Sequence, residues 1–512
     1  MDHYDIVIIG AGNAGLSAAI DLAMHGKKTL IVEQHNLPGG CATSFRRGRF
    51  EFDPSLHELC GVGTVDNAGD VRELFDQYGV DIDWVNLKDC FRVISTYSDG
   101  SHMDATVPHG REKIAEAMEG LVPGSRPVME KMFDLFHEVC EGLSFASQPS
   151  FNKVELVKKY PNLLRTGAYP TNVVLKKLKL PQKCLDIMAT YWSYLGIDLD
   201  RLSFAHYAAM VDSYVNRGAA IPLHTSHELS VKLCERFREL GGEIRFNCRA
   251  EEVLFEGDRV CGVRTESGDI ACDYVLANIN PDILYGKMVP KSIIPDRLKK
   301  LFSARKQNYS ARMLTAYFGL DCTPEELGLK DYAIFMLGTA DTVREYKNMM
   351  RSLESNHCGI MVCPTVADPR TSPEGTTILS FTTFCGPEEW NSLTPERYAA
   401  KKTEAARHFM AMLLEKTGIN LSGHIEEMEV ATPWTFARYI GSPEGNVYGY
   451  EVDGWDSIVS RTMSIKKDYP IRGLRTIGAA GARGDGYGSA YHSGRSMAEL
   501  ALADLAAWGG KA

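Results

Sequence analysis

The stretch YDIVIIGAGNAGLSAAIDLA (residues 4–23) decides the fold. Its opening, Tyr4 to Ile9, is a short apolar run rich in β-branched residues, the pattern of a buried parallel strand. The run passes directly into Gly10-Ala11-Gly12-Asn13-Ala14-Gly15, and then into an alanine- and leucine-rich segment, Leu16 to Ala23, that reads as a helix. Lys28 to Val32 (KTLIV) predicts a second strand, ending at Glu33. Gly10 permits the tight turn, Gly12 lets the backbone approach a pyrophosphate, and Gly15 allows close packing of helix on strand. The helix N-terminus, at Asn13 and Ala14, offers free N–H groups and a partial positive charge to phosphates. Glu33, with Gln34 beside it, lies 18 residues beyond Gly15, where a carboxylate at a strand tip binds ribose hydroxyls. A glycine pattern alone is weak. Strand, glycines, helix, second strand and terminal acid in that order predict a Rossmann-type dinucleotide site. The acid disfavours a 2′-phosphate, so NADP is not expected in this slot.

Working outward, Leu37-Pro38-Gly39-Gly40-Cys41-Ala42-Thr43-Ser44-Phe45 follows the ribose site, and the hairpin-like RRGRFEFDPS comes next. A second glycine pair so close by suggests another backbone approach, to the remainder of a long extended cofactor. FAD needs this and NAD does not. Near the other end, Arg475-Thr476-Ile477-Gly478 leads through Ala479 to Gly484-Asp485-Gly486-Tyr487-Gly488-Ser489-Ala490 and a helix through Leu500. This is again strand, glycine loop and helix N-terminus, able to bring N–H dipoles to a flavin ring.

The 512 residues are too many for one ordinary core, so two intertwined domains are expected. Apolar residues at 44% and charged residues at 24% describe a globular chain. The net charge of -10 argues against a nucleic-acid partner. Thirteen cysteines without CxxC spacing argue for reduced thiols in a cytoplasmic protein, and no metal site is expected. The N-terminus lacks a basic segment followed by an apolar run, and no stretch of ~18 uninterrupted apolar residues occurs. A peripheral membrane contact stays open, since one apolar patch suffices for it. Oligomeric state is not specified.

These residues resemble the FAD-dependent phytoene desaturase, carotenoid isomerase and retinol saturase family. The GAGNAGLSAA start and the LPGG segment look like its nucleotide site and following glycine pair. GGCATSFRRGRFEFDPSLHELCG is most similar to the retinol saturase branch, which implies roles for Cys41 and His57. Glu228 to Leu276 resembles the family's helix, adenine-reaching strand and β-meander, which carries the backbone contact to adenine onto Val253. Thr432-Pro433-Trp434 and Ser442 to Gly449 resemble its TP…GxxYG stretch near the flavin. One departure stands out. The family's late strand ends in Gly-Asp, the acid binding the ribityl chain, whereas this chain has Gly478-Ala479-Ala480, with Asp485 the nearest substitute.

The resemblance implies an α/β fold: a Rossmann-type FAD-binding domain of the glutathione reductase and amine oxidase kind, with an interleaved substrate domain of mixed sheet and helices. Residues 1–95, 215–290 and 425–512 are expected to form the first, and 96–214 and 291–424 the second. Met129, Met132, Phe133, Phe136, Cys140 and Leu143 recur at helical spacing, a stripe that reads first as core packing and second as a substrate-lining face. Met313–Leu320, Gly359–Cys363 and Thr377–Phe384 predict strands of one sheet, suited to roofing a pocket for a long apolar substrate.

No Ser-His-Asp order, HExxH or metal-spaced cluster is present, so the reaction centre is expected at the flavin. Changing a C=C bond by hydride transfer at one carbon and proton transfer at its neighbour requires a proton donor. His57, Glu58, Tyr487, Tyr491 and His492 are the candidates beside likely flavin loops. Cys41 reads as a small packing residue. No second GxGxxG with strand–helix context exists, so NAD(P)H as a transient reductant would bind without its own Rossmann unit, and an electron-donor protein is the other source. The substrate expected is a small, apolar, polyene or isoprenoid lipid, undergoing saturation, desaturation or cis–trans isomerisation. Two alternatives remain at this point. One is an oxidase of amines. The other is a non-catalytic lipid escort of the prenyl-GTPase dissociation-inhibitor type, which the intact nucleotide glycines and Glu33 weigh against.

Overall fold

A computed structural model describes residues 3–148, 151–452, 454–464, 470–479, 481 and 486–509. The opening stretch folds as its pattern predicts: strand His3–Ile9, the turn at Gly10 (φ 100°), helix Asn13–Met24 and strand Thr29–Val32. All four residues of Thr29–Val32 are buried, as the two-faced burial of a parallel sheet demands. Around this unit a seven-stranded sheet runs in the order Glu243–Arg245, Thr29–Val32, His3–Ile9, Gly268–Ala277, Arg259–Thr265, Ala250–Glu256. The first four strands are parallel. The last three form an antiparallel meander, and strand Leu474–Thr476 pairs in parallel with Val275–Ala277.

A second seven-stranded sheet runs Ile425–Ala431, Arg312–Leu320, Thr377–Cys385, Gly359–Val362, Ala333–Met336, Asp89–Thr96, His102–Pro108. Its pairs are antiparallel apart from Asp89–Thr96 beside Ala333–Met336. This corrects the expected segment boundaries at 95 and 425. Arg92 registers with Ile334 and Ala431 with Thr315, so both strands belong to the second sheet and not to the nucleotide side. Nothing local in either run names this sheet, which is set by partners more than 100 residues away.

Helices Arg126–Ser147 and Phe204–Arg217 pack against each other over the second sheet, with shorter helices between them in sequence. The methionine and phenylalanine stripe divides along its length. Met129, Met132, Phe133 and Phe136 are buried in the core, while Cys140 and Leu143, further along the same helix, line a cavity. The 13 cysteines are all free. No helix among the described residues is long and apolar enough to cross a membrane.

Candidate functional site

The cofactor cradle is built by glycines whose missing side chains are visible in the geometry. A Cβ at Gly15 would lie 2.1 Å from the Gly10 carbonyl oxygen, so only glycine lets helix Asn13–Met24 sit this close to its strand. Gly12 forms a parallel bridge with Gly39, and Gly39 donates its N–H to the Ala11 carbonyl at 2.8 Å. The two glycine segments are thus one structure. Gly39 (φ 116°) is required twice over, because a Cβ there would lie 1.9 Å from the Ala42 carbonyl oxygen. Glu33 accepts from the Ala11 and His35 N–H groups, at 2.8 Å each, which holds its carboxylate at the end of the cleft.

Asn278, just past strand Gly268–Ala277, was not singled out by the sequence. Its carboxamide oxygen accepts from the N–H groups of Gly12 and Gly15 at 3.2 Å, and a Cβ at Gly10, Gly12, Gly15 or Gly478 would run into the same residue. The signal available was an amide at the end of a buried apolar run, shortly before Pro281. Gly478 donates to Ser493 Oγ at 3.1 Å, joining the late strand to helix Tyr487–Gly509. The proposed ribityl substitute Asp485, with Ala480 and Gly484, lies outside the described residues.

A single cavity of about 1650 Å³ runs from this cradle into the space beneath the second sheet. Gly10, Gly12, Asn13, Ala14, Glu33, Gln34, Gly39, Gly40, Cys41, Thr43, Gly478, Ala479, Gly486, Tyr487, Gly488 and Ser489 all border it, as do His57, Glu58 and His492. Gly15 and Ala42 stand behind its wall, shaping it by packing. Val253 does not reach it: the side chain is fully buried in the core, paired with Val263, and the wall there is Cys248, Arg249, Ala250 and Glu251. Val253, expected as the backbone contact to adenine, thus stands off the cavity, which this part of the sheet meets at residues 248–251. The side-chain oxygen Oδ1 of Asn13, at the helix start, is buried without a partner among the described residues, as a wall prepared for a polar ligand would leave it. A dinucleotide fits this cradle, and the volume exceeds the roughly 300–1,000 Å³ of a single small-molecule pocket.

At the inner end, loop Asp53–Glu58 is clamped from several elements. Half-buried Asp53 accepts from the N–H groups of Ser226 (2.7 Å) and Leu56 (2.9 Å). The hydroxyl of Tyr317 donates to the Pro54 carbonyl at 2.6 Å, and that of Tyr332 to the His57 carbonyl. His57 Nε2 and Thr382 Oγ1 share a 2.8 Å hydrogen bond, and Thr382 is 3.0 Å from the Thr315 hydroxyl. Burial pushes the imidazole down to about 4, so it is neutral at pH 7 and a poor acid. Burial acts oppositely on Glu58, raising its carboxyl to about 8 even though Tyr194 donates to Oε1 at 3.2 Å. Oε2 has no hydrogen-bond partner among the described residues. Glu58 is therefore the carboxyl of this loop that holds a proton at neutral pH.

The other candidates are engaged elsewhere. The Tyr487 hydroxyl donates to the Cys41 carbonyl at 2.9 Å and lies 3.0 Å from Ser55 Oγ, tying the C-terminal helix to the second glycine segment. Burial raises its ionisation well above the ordinary value. Tyr491 is fully buried against Phe75, off the cavity. His492 Nε2 sits 2.9 Å from the Asp70 carboxylate. Burial pushes the Cys41 thiol up to about 11, which leaves it unreactive. Aromatic rings complete the inner wall: Tyr194, Tyr214, Phe384, Phe436 and Tyr448, with the Tyr448 hydroxyl donating to the Tyr194 carbonyl at 2.9 Å.

Comparison with known proteins places this geometry. Residues 13–500 match the family described as flavin containing amine oxidoreductase. The all-trans-retinol 13,14-reductase of Rattus norvegicus is 25% identical over 545 aligned residues, covering 100% of this chain and 88% of that protein. The chloroplastic prolycopene isomerase of Daucus carota is 22% identical, covering 98% of this chain and 80% of its own. Among solved structures, an oxidoreductase from Methanosarcina mazei superposes with a TM-score of 0.64 at 15% identity, covering 96% of this chain and 99% of that one.

Proposed function

The chain belongs to the flavin-containing amine oxidoreductase family, and we propose that it is an FAD enzyme acting on carbon–carbon double bonds of a polyene lipid. The observation that carries this reading is the continuity of one cavity from the glycine cradle to an aromatic-walled chamber holding Glu58. The relatives named for retinol reduction and prolycopene isomerisation support the substrate class.

When bound, FAD supplies hydride exchange with one alkene carbon. Gly10, Gly12, Gly39, Gly40 and Glu33 would hold its nucleotide part, and the N-terminus of helix Asn13–Met24 its phosphates. Glu58 holds the complementary proton in the chamber wall and delivers it to the neighbouring carbon. His57, neutral and fixed by Thr382, orients this wall without carrying charge. The apolar lining excludes water and favours a long hydrocarbon lying along it. A carboxyl that is protonated at neutral pH suits proton addition, hence saturation or isomerisation, better than the proton removal of desaturation. Protonated, Glu58 offers a cationic amine no anion at the aromatic end of the cavity.

Anaerobic incubation of the yellow holoprotein with an all-trans polyene alcohol and a poly-cis carotene tests this. Reduced and oxidised enzyme are both assayed, by flavin absorbance and product mass. Double-bond saturation or geometric isomerisation is expected. Flavin bleaching by aliphatic amines, with polyenes returned unchanged, overturns the proposal.

A further inference from the structure

Helices Lys153–Lys159, Pro161–Thr166 and Thr171–Leu178 pack against helix Arg126–Ser147, with Leu156, Leu163, Val174 and Leu175 buried beneath them. Their outward side combines two features. Residues 153–183 contain eight basic side chains against one acid, Glu155, so this segment carries +7 in a chain whose total is -10. Interleaved with the cations are large apolar side chains in the open: Val154 at 62% exposure, Val157 at 55%, Tyr169 at 55%, then Leu164 and Val173. Lys159 pairs with Glu155 and Lys183 with Asp99, while Lys176, Lys177 and Lys179 have no ion pair among the described residues.

Neither feature alone defines a partner. Cations alone fit any acidic surface, and scattered apolar residues alone are ordinary. Their interleaving along one exposed segment matches a boundary that is anionic outside and apolar a few ångströms deeper, which is an anionic bilayer. An acidic soluble protein gives the exposed valines and Tyr169 nothing to enter.

We propose that this three-helix face is a docking surface for an anionic lipid bilayer. Its position adds to the argument. Helix Arg126–Ser147, which carries the three helices, also lends Cys140, Leu143, Ser144 and Ser147 to the cavity wall. A docked chain therefore sets its chamber about one helix diameter, roughly 10 Å, behind the lipid-facing layer. The inference concerns where the chain sits and does not depend on which bond it changes.

The test uses flavin-loaded full-length protein and sedimentation with vesicles of phosphatidylcholine alone or mixed with phosphatidylserine. Binding is expected to the mixed vesicles, weakened by salt. The triple change Lys176→Glu, Lys177→Glu, Lys179→Glu should weaken it by far more than tenfold, because each charge near the surface is worth roughly fivefold. Val157→Trp should show a blue-shifted indole emission on the same vesicles. All these sites are on the surface, so an unchanged melting temperature verifies that each variant is folded. Absence of binding to mixed vesicles, or binding indifferent to the charge reversals, overturns the proposal. Charge-sensitive association with no emission shift, competed fully by a soluble acidic protein, also overturns it, in favour of a protein partner. Polyene turnover persisting in a chain that ignores vesicles would remove this inference and leave the proposed reaction standing.

Discussion

Neighbouring side chains His57 and Glu58 border one cavity, yet burial drives them in opposite directions, the imidazole to about 4 and the carboxyl to about 8. Both end neutral at pH 7, and only Glu58 then has a proton to give. Glu58→Gln should keep a normal flavin spectrum and lose about 10²–10⁴-fold in turnover, measured by product formation. In the parent, turnover should decline as pH rises through about 8, where Glu58 ionises, and the Gln variant should lack that limb. The same group leaves a trace in stability. Because its folded value is raised above the ordinary 4.5, the stability it confers is present at low pH and lost as pH climbs through 8. Melting temperatures of parent and Glu58→Gln should therefore diverge at pH 9, the variant being the more stable. His57→Ala and Tyr487→Phe each remove hydrogen bonds that hold loops, so losses of about tenfold or less are expected from them. A large loss in either with Glu58→Gln nearly silent would return the proton to the residue concerned.

At the level of elements, the cradle depends on two helices and a strand end meeting with almost no side chain between them. A Cβ at Gly494 would lie 2.2 Å from the Ala14 carbonyl oxygen, so helix Tyr487–Gly509 touches helix Asn13–Met24 backbone to backbone. Gly494→Leu should force them apart, costing about 1–3 kcal/mol and lowering both melting temperature and flavin content. Asn278→Ala strands the N–H groups of Gly12 and Gly15, at about 1–3 kcal/mol, and should appear as a higher FAD dissociation constant in fluorescence titration. The nucleotide half of the site was legible because its chemistry is local: strand, glycines, helix and acid lie within 30 residues. Asn278, Tyr194 and Thr382 were not, since each reaches the cavity through pairings the chain makes at long range. Thr382 meets His57 across 325 positions. The segment boundaries expected at 95 and 425 put Asp89–Thr96 and Ile425–Ala431 with the nucleotide side for the same physical reason, since a short run of sequence does not name the strand it will pair with.

Over the whole molecule, the sequence carries one G-x-G-x-x-G pattern, at residues 10–15 between a parallel strand and a helix, and the second sheet is antiparallel but for one pair. NADH or NADPH alone should accordingly reduce the flavin far more slowly than turnover requires. Stopped-flow absorbance at the flavin band checks this, and reduction at the turnover rate would count against it. The sheet order also explains why the first domain is assembled from distant segments. Strand Gly268–Ala277 pairs with His3–Ile9 on one side, and on the other with the meander and with Leu474–Thr476.

That interleaving has a consequence in time. The helix that opens the cradle starts at Asn13, and the helix that packs on it starts at Tyr487. At roughly 5–20 residues per second, a ribosome needs about 24–95 s to make what lies between. Throughout that interval the small-residue face around Ala14 and Ala18 has no partner helix, and Gly478 is not yet there to meet Asn278. Acquisition of the cofactor is thus a late event of biosynthesis, and nascent chains halted before residue 474 should emerge colourless and in need of a chaperone.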